Sequence, residues 1–349
     1  MKKLKIGYIP ILKDLSHPAD RRRLAFWAKN RGHEIIIDLT LPHDVVVISE
    51  RADIARWSRN IYGAPRIFDL IDGYLAPMSA GNDLLRGYAK FATGQSTGSF
   101  RRFSKQVEKL CSTVQGVICS TPEQRTSILR FNSNVHPILD SHDEFPLLAP
   151  RIAPIENKEI KFFWEGLPFT LSNLSIIEDG LKDLDPSVSL KLLVVTDLTY
   201  PKYLGTHLTR DTSRYIQKSF PTLSSKIQLI PWSADGVKDS AAISDLGILP
   251  ISIVEPMNDY KAENRLLIMW RLGLPVLASP TKAYSRVFNS IASEGICADA
   301  LSWVKQIENF TKDREPFLEQ IRLGQEYLSE HHSKENLLHS WDKAIRSVL

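Results

Sequence analysis

The sequence predicts an α/β protein of two doubly wound halves, each a parallel sheet covered by helices. Three observations carry this. Short β-branched apolar runs alternate with amphipathic stretches along the whole chain. The alternation breaks once, at the proline-containing stretch 143–159, and then restarts. The length of 349 residues also exceeds what one hydrophobic core usually supports, so two domains are the default.

The elements follow in order. KLKIGYIPI (3–11) reads as a strand; Gly7, Pro10 and the Lys13-Asp14 stop break its apolar run too early for a secretory leader. RRRLAFWAKNRG (21–32) reads as a helix stopped by Gly32. EIIIDL (34–39) and DVVVIS (44–49) have the continuous β-branched character of strands buried on both faces. PRIFDLID (65–72) is a further strand. Residues 99–114 read as a helix, GVICS (116–120) as a strand and 122–131 as a helix. After the linker, IKFFWEG (160–166) is a strand and turn, 174–184 a helix, and SLKLLVVTD (189–197) a buried strand. SKIQLIPW (225–232) and DLGILPI (245–251) are strands, and residues 313–349 are helical. These divide the chain into 1–150, 151–330 and a terminal helix at 331–349. In such sheets ligands bind beyond the carboxyl ends of the strands.

Composition removes several classes of function. With 43% apolar and 24% charged residues the chain reads as a soluble globular protein. No run approaches the ~20 apolar residues that span a bilayer. Cys111, Cys119 and Cys297 are odd in number and form no C-x-x-C pair, which fits a reducing cytoplasm and offers no zinc spacing. There is no P-loop and no G-x-G-x-x-G, against ATPase and NAD-dehydrogenase readings. Basic residues are dispersed, so no nucleic-acid partner is expected. Residues 1–150 hold 21 Lys and Arg against 15 Asp and Glu, and the remainder 23 against 25. The basic first half suits an anionic partner such as a phospholipid surface or a lipid-phosphate acceptor, or is ordinary solvated surface. FRRFSK (100–105) could dock on a membrane interface, but burial of its phenylalanines is the commoner fate. GQSTG (94–98) matches the G-x-S-x-G elbow without the strand that must precede it. DLD (183–185) matches a metal motif but sits in a helix-to-strand turn, so it reads as surface.

The segment 245–279 carries the most chemistry. A strand ends at Pro250-Ile251, and a helix is expected to start near Asn258 or Asp259 and to run to Leu272. Gly273 and Pro275 stop it, and VLAS (276–279) is the next strand. On that helix Lys261, Asn264 and Arg265 fall at i, i+3 and i+4 and share a face of the first turn. Basic side chains on a helix N-terminus make a diphosphate site. A solvated helix end paired to Glu255 or Glu263 accounts for the spacing equally well.

DLGILP, K-x-x-N-R-L-L and GLPVLAS in this order resemble the donor-binding region of GT-B glycosyltransferases, especially the retaining group called family 4. FFWEGLP (162–168) with Asn173-Leu174 resembles the first strand and Gly-turn of that family's C-terminal domain. The likeness covers residues 160–349 well and the first half only in rhythm. It implies two Rossmann-like domains facing a central cleft, with C-terminal helices crossing back to the N-terminal domain. The first domain would bind the acceptor and the second a nucleotide sugar that is UDP-, GDP- or ADP-linked. By position, Lys261 and Arg265 would neutralise the donor diphosphate and stabilise its departure as catalytic residues, with Asn264 beside them. Gly166 would admit backbone to the phosphates, and Trp232 would stack on the base unless it is core. The family usually has a Glu one turn after the basic residue, on the ribose; Ile268 stands there.

In the first half, KDLSHPADRRR (13–23) follows the first strand. Ser16 and Arg21 are candidate acceptor contacts, His17 a candidate catalytic residue or a simple helix cap, and Asp72 an acceptor-orienting carboxylate or a turn cap. No general base is assigned, because the departing diphosphate can itself assist the acceptor hydroxyl. No metal and no cofactor are expected, since helix dipole and basic side chains can replace them.

The function expected is a cytoplasmic glycosyltransferase of the hexosyltransferase kind, retaining, in cell-surface polysaccharide synthesis. Its acceptor would be a glycan or a lipid-linked acceptor, with peripheral contact at the inner face of the membrane. The alternatives are a sugar-nucleotide epimerase and a catalytically silent GT-B subunit, which Ile268 keeps open.

Overall fold

A computed structural model describes every residue except 1, 60–62, 93–95, 99–101, 151–158, 179, 183, 185–187 and 202–208. The chain forms two compact units. The first holds Met1–Ser141, Glu255–Ala262 and His332–Leu349; the second holds His142–Val254 and Glu263–His331.

The first unit is built on a parallel sheet of six strands: β1 Lys5–Ile9, β2 Glu34–Ile36, β3 Val45–Ser49, β4 Arg66–Leu70, β5 Gly116–Cys119 and β6 Val135–Pro137. Their order is β2-β1-β3-β4-β5-β6. Every residue of β3 and β4 is buried, which requires cover on both faces. On one face Phe68 and Val117 pack with Phe103, Val107 and Leu110 of the helix Phe103–Thr113. On the other, Val47 and Ile67 pack with Trp27, Trp341 and Ile345. The last two come from the C-terminal helix Lys334–Arg346, which therefore completes the first unit. Asp342 on that helix accepts from Trp27 Nε1 at 2.8 Å and pairs with Arg31 at 3.0 Å.

The second unit has a five-stranded parallel sheet and an antiparallel pair. In chain order the strands are β7 Glu159–Glu165, β8 Ser189–Thr196, β9 Thr199–Pro201, β10 Thr209–Asp211, β11 Ile227–Pro231, β12 Leu246–Leu249 and β13 Val276–Ala278. The sheet runs β11-β8-β7-β12-β13, and β9 pairs with β10. Phe162, Trp164, Leu192 and Ile248 form its core with Trp303 and Ile307 of the helix Ala300–Lys312. On the helix Glu315–His331, Gly324 lies against Trp270: a Cβ there would stand 2.3 Å from the indole. The segment 142–150 is pinned to this unit, Leu148 donating its N–H to Arg271 O at 2.8 Å and accepting from Gln325 at 2.7 Å.

Local structure departs from the sequence expectation where tertiary contacts win. The helix expected over 21–32 is two helices, Pro18–Arg21 and Leu24–Arg31, because Arg23 turns inward to a buried carboxylate. The strand at 34–39 stops at Ile36, and the helix at 99–114 starts at Phe103. The helix over 174–184 breaks into Ser175–Glu178 and short 3-10 turns, where Gly180 meets the Ala300 carbonyl. A helix at Ala80–Ala92 has no counterpart in the sequence reading. It leads into GQSTG in place of the strand that a nucleophile elbow needs; Gly94 and Gln95 lie outside the described residues, as do Asp183 and Asp185 of DLD. Phe103 is buried in the core, while Phe100 and Arg101 lie outside the described residues.

Candidate functional site

Each sheet has a point where its winding reverses. In the second unit the parallel strands β7, β8 and β11 are laid down towards one edge of the sheet and β12 and β13 towards the other, so the reversal falls between β7 and β12. Loops diverge there and leave a crevice at the carboxyl ends of the strands. Gly166 follows β7 at this point. Its N–H donates to Val195 O at 3.3 Å and its carbonyl accepts from Thr196 Oγ1 at 2.6 Å. A Cβ on Gly166 would stand 2.9 Å from the Trp164 ring and 3.1 Å from Arg265 Nη1, so the turn tolerates no side chain.

Arg265 comes from the other side of the reversal, in the helix Asn264–Arg271 that follows β12. Its Nη1 donates to Glu165 O at 3.1 Å, and the buried Tyr284 hydroxyl shares a hydrogen bond with its side chain. A half-buried guanidinium is thus fixed beside the Gly166 turn. Leu267 makes the first i to i−4 bond of the helix, to Glu263, and no side chain caps the helix at Glu263. Helix N–H groups before that bond, with a cation among them, favour an anion. Trp232, after β11, donates Nε1 to Glu165 Oε1 at 2.9 Å, so it is tied to the same strand end and is only half-buried. Asn264 Oδ1 lies 2.9 Å from His142 Nε2, and Asn173 Oδ1 accepts from Ser252 N at 3.0 Å. Gly166, Trp232, Asn264 and Arg265 are therefore brought to one edge of the second unit.

Lys261 is not. The expected single helix from Asn258 or Asp259 to Leu272 is a 3-10 turn, Pro256–Tyr260, then an extended Lys261 (φ −70°, ψ 134°), then the helix Asn264–Arg271. Lys261, Asn264 and Arg265 hence share no helix face. The cause lies in Tyr260, which packs on Gly73 and whose hydroxyl lies 3.1 Å from Ser127 Oγ. These contacts hold Glu255–Ala262 to the first unit. Ile268 is buried among the core residues of its helix, and Glu263 is buried and paired with Arg286 at 3.0 Å.

In the first unit the reversal falls between β1 and β3. The loop after β1 carries Leu15 in the left-handed region at φ 61°, and is held by the buried Asp20, which accepts from Tyr8 OH, Ile11 N and Leu12 N. Ser16 donates N–H and Oγ to Asp14, and Arg21 donates to Ser16 O at 3.0 Å. His17 caps the helix Pro18–Arg21, Nδ1 accepting from Ala19 N at 3.2 Å. Burial, with the Arg51 charge second, lowers its pKa, so the ring is neutral at pH 7. Below this loop Arg23 grips Asp69 with two bonds, at 2.6 and 2.9 Å, and donates to Asp140 at 3.1 Å.

Glu50, directly after β3, escaped the sequence reading. Its Oε2 accepts the Asp72 N–H at 2.8 Å, which links the ends of β3 and β4. Burial, and then the Asp72 charge, push its carboxyl up to about 8. Asp72 itself is exposed, with the Tyr74 hydroxyl 3.3 Å from Oδ2. The available signal was an acid directly behind DVVVIS, a run that reads as buried on both faces. Ser16, His17, Arg21, Glu50 and Asp72 thus sit on the segments that follow three neighbouring strands, β1, β3 and β4, with Arg21 at the end of the short helix Pro18–Arg21. Among the described residues no group of three His, Cys, Asp or Glu could hold a metal ion, and no helix is long and apolar enough to cross a membrane.

Two Rossmann-like units with the last helix returning to the first make the fold GT-B. The chain is similar in structure to HepE from Anabaena, solved with UDP and glucose, at a TM-score of 0.64 and 11% identity over 99% of this chain and 100% of that one. It is similar to WaaG, a glycosyltransferase involved in lipopolysaccharide biosynthesis, at 0.58 and 13% over 98% of each. It also matches TarM at 0.57 and 14%, covering 86% of this chain and about half, 54%, of TarM. No family model and no curated protein matches the sequence.

Proposed function

We propose that the chain is a glycosyltransferase whose second unit binds the diphosphate of a nucleotide sugar. The observation that carries this is Arg265, pinned to the Glu165 carbonyl across the sheet reversal at the first turn of a helix, beside a turn that only glycine fits. That geometry puts positive charge where a departing diphosphate gains it, so the interaction strengthens as the glycosidic bond breaks. The adjoining helix N–H groups add to the same positive potential, Asn264 lies beside them, and Trp232 supplies an aromatic face near the end of β11. UDP is the first nucleotide to test, since HepE was solved with it.

The first unit takes the acceptor, a glycan or lipid-linked sugar, through the loops bearing Ser16, His17, Arg21 and Asp72. We assign transfer with retention of configuration, in synthesis of cell-surface polysaccharide at the inner face of the membrane, with no metal or cofactor required. Buried Ile268 supports a second reading, a partner-binding subunit that no longer turns over, because the helix offers no carboxylate one turn after Arg265 for the ribose.

Thermal shift with UDP, GDP, ADP and CMP and their sugar conjugates tests the donor site. One diphosphate nucleotide at a hundred times its Kd stabilises the folded protein by about 2.7 kcal/mol. Arg265→Ala weakens that binding by about tenfold or more, the worth of a charged hydrogen bond, and Lys261→Ala by less. If no nucleotide shifts the wild type, the donor assignment is wrong and the partner-binding reading replaces it.

A further inference from the structure

The helix Ala80–Ala92 is built inside out. Its charged residues face the protein. Asp83 is buried and accepts from Ser104 N at 2.9 Å and from Ser104 Oγ. Arg86 lies over the Tyr74 ring at 5.5 Å and donates to Met257 Sδ. Lys90 sits 4.5 Å from the Phe103 ring centre and 5.7 Å from that of Tyr74. The apolar residues face out: Leu84 is 45% exposed, Leu85 65%, Tyr88 47% and Phe91 39%. Spaced at 84, 85, 88 and 91, they form one stripe along the helix. Single exposed apolar residues need no explanation, but four on one helix face, opposite three inward charges, reverse the usual burial rule.

The occupant follows from charge. The first unit holds 25 Lys and Arg against 17 Asp and Glu, a net +8, whereas the second holds 19 against 23, a net −4. The stripe lies in the basic unit, and the stretch 102–113 beside it in the chain holds exposed Arg102, Lys105 and Lys109 against one acid, Glu108. An apolar stripe on a cationic body matches the acyl boundary and headgroups of an anionic bilayer.

We infer that the face Leu84-Leu85-Tyr88-Phe91 docks the protein on an anionic phospholipid surface. The inference does not depend on the donor-site assignment, and its test contains no nucleotide. The full-length protein is sedimented with vesicles of phosphatidylcholine alone and of phosphatidylcholine with 30 mol% phosphatidylglycerol. Wild type pellets with the anionic vesicles and less in high salt. Leu84→Glu/Leu85→Glu lowers the partition coefficient by about tenfold or more, because two side chains that enter the acyl boundary become charged. Ile243→Glu, an exposed apolar position in the second unit, pellets as wild type does. Tyr88→Ser/Phe91→Ser gives a second reading should the first variant fold poorly, judged by circular dichroism. Three results overturn the inference: wild type that stays in solution, Leu84 and Leu85 variants that pellet unchanged, or a wild-type dimer that these substitutions dissolve while vesicles bind neither form. The last would assign the face to a second copy of the chain.

Discussion

Replacing Glu50 by glutamine isolates the energetic consequence of a carboxyl held between two strand ends. In the unfolded chain Glu50 titrates near 4.5; in the folded chain burial and the Asp72 charge raise it to about 8. Between these values the folded protein keeps a proton that the unfolded chain has released. The unfolded state binds fewer protons, so stability falls as pH rises through this window. At 1.36 kcal/mol per pKa unit, the loss reaches about 3 kcal/mol at pH 7 and about 5 kcal/mol above pH 8. Glutamine has the same shape, its carbonyl can accept the Asp72 N–H, and it carries no charge to desolvate. Urea unfolding of both proteins at pH 5, 6, 7 and 8 reads the difference directly. The variant should match wild type within about 1 kcal/mol at pH 5 and exceed it by about 3 kcal/mol at pH 7. Curves that stay parallel from pH 5 to 8 would refute the reasoning, since Glu50 would then ionise as it does in water.

Two glycine substitutions test the close approaches. Gly166→Ala puts a methyl 2.9 Å from the Trp164 ring and 3.1 Å from Arg265 Nη1, so it should cost about 1–3 kcal/mol in denaturant and displace Arg265. Calorimetry should then show diphosphate-nucleotide affinity down by about tenfold, in step with Arg265→Ala. Gly324→Ala would normally stabilise a helix interior by about 1 kcal/mol. Here its Cβ meets the Trp270 indole at 2.3 Å, so a loss of about 3 kcal/mol is expected, read as a lower urea midpoint.

The acid behind β3 and the basic pair behind β12 show where reading the sequence worked and where it stopped. Strands such as DVVVIS and SLKLLVVTD are legible because a strand covered on both faces must be apolar at nearly every position, a local property. The turn at Gly166 and the helix stop at Gly273 were legible for a related reason: such punctuation has its own residue chemistry. The single helix over 258–272, and with it a helix face shared by Lys261, Asn264 and Arg265, failed because continuity there was decided by Tyr260 docking on Gly73, a contact about 190 residues away in sequence. The helix Ala80–Ala92 was not read from the sequence at all, and its amphipathic pattern, read by the ordinary rule, would have placed the wrong face inward.

What the sequence determined by itself is the α/β alternation, the restart after the proline-rich stretch, and the helix stops at Gly32 and Gly273, since these depend on residues within a turn or two. Only the tertiary structure decided the strand order that puts the reversals at β1/β3 and β7/β12, the ties of Arg265 and Trp232 to the end of β7, and the elevation of Glu50. It also decided that the charges of Ala80–Ala92 face inward. Burial, ion pairing and sheet order are set by groups far apart in the chain, and no local window contains both partners.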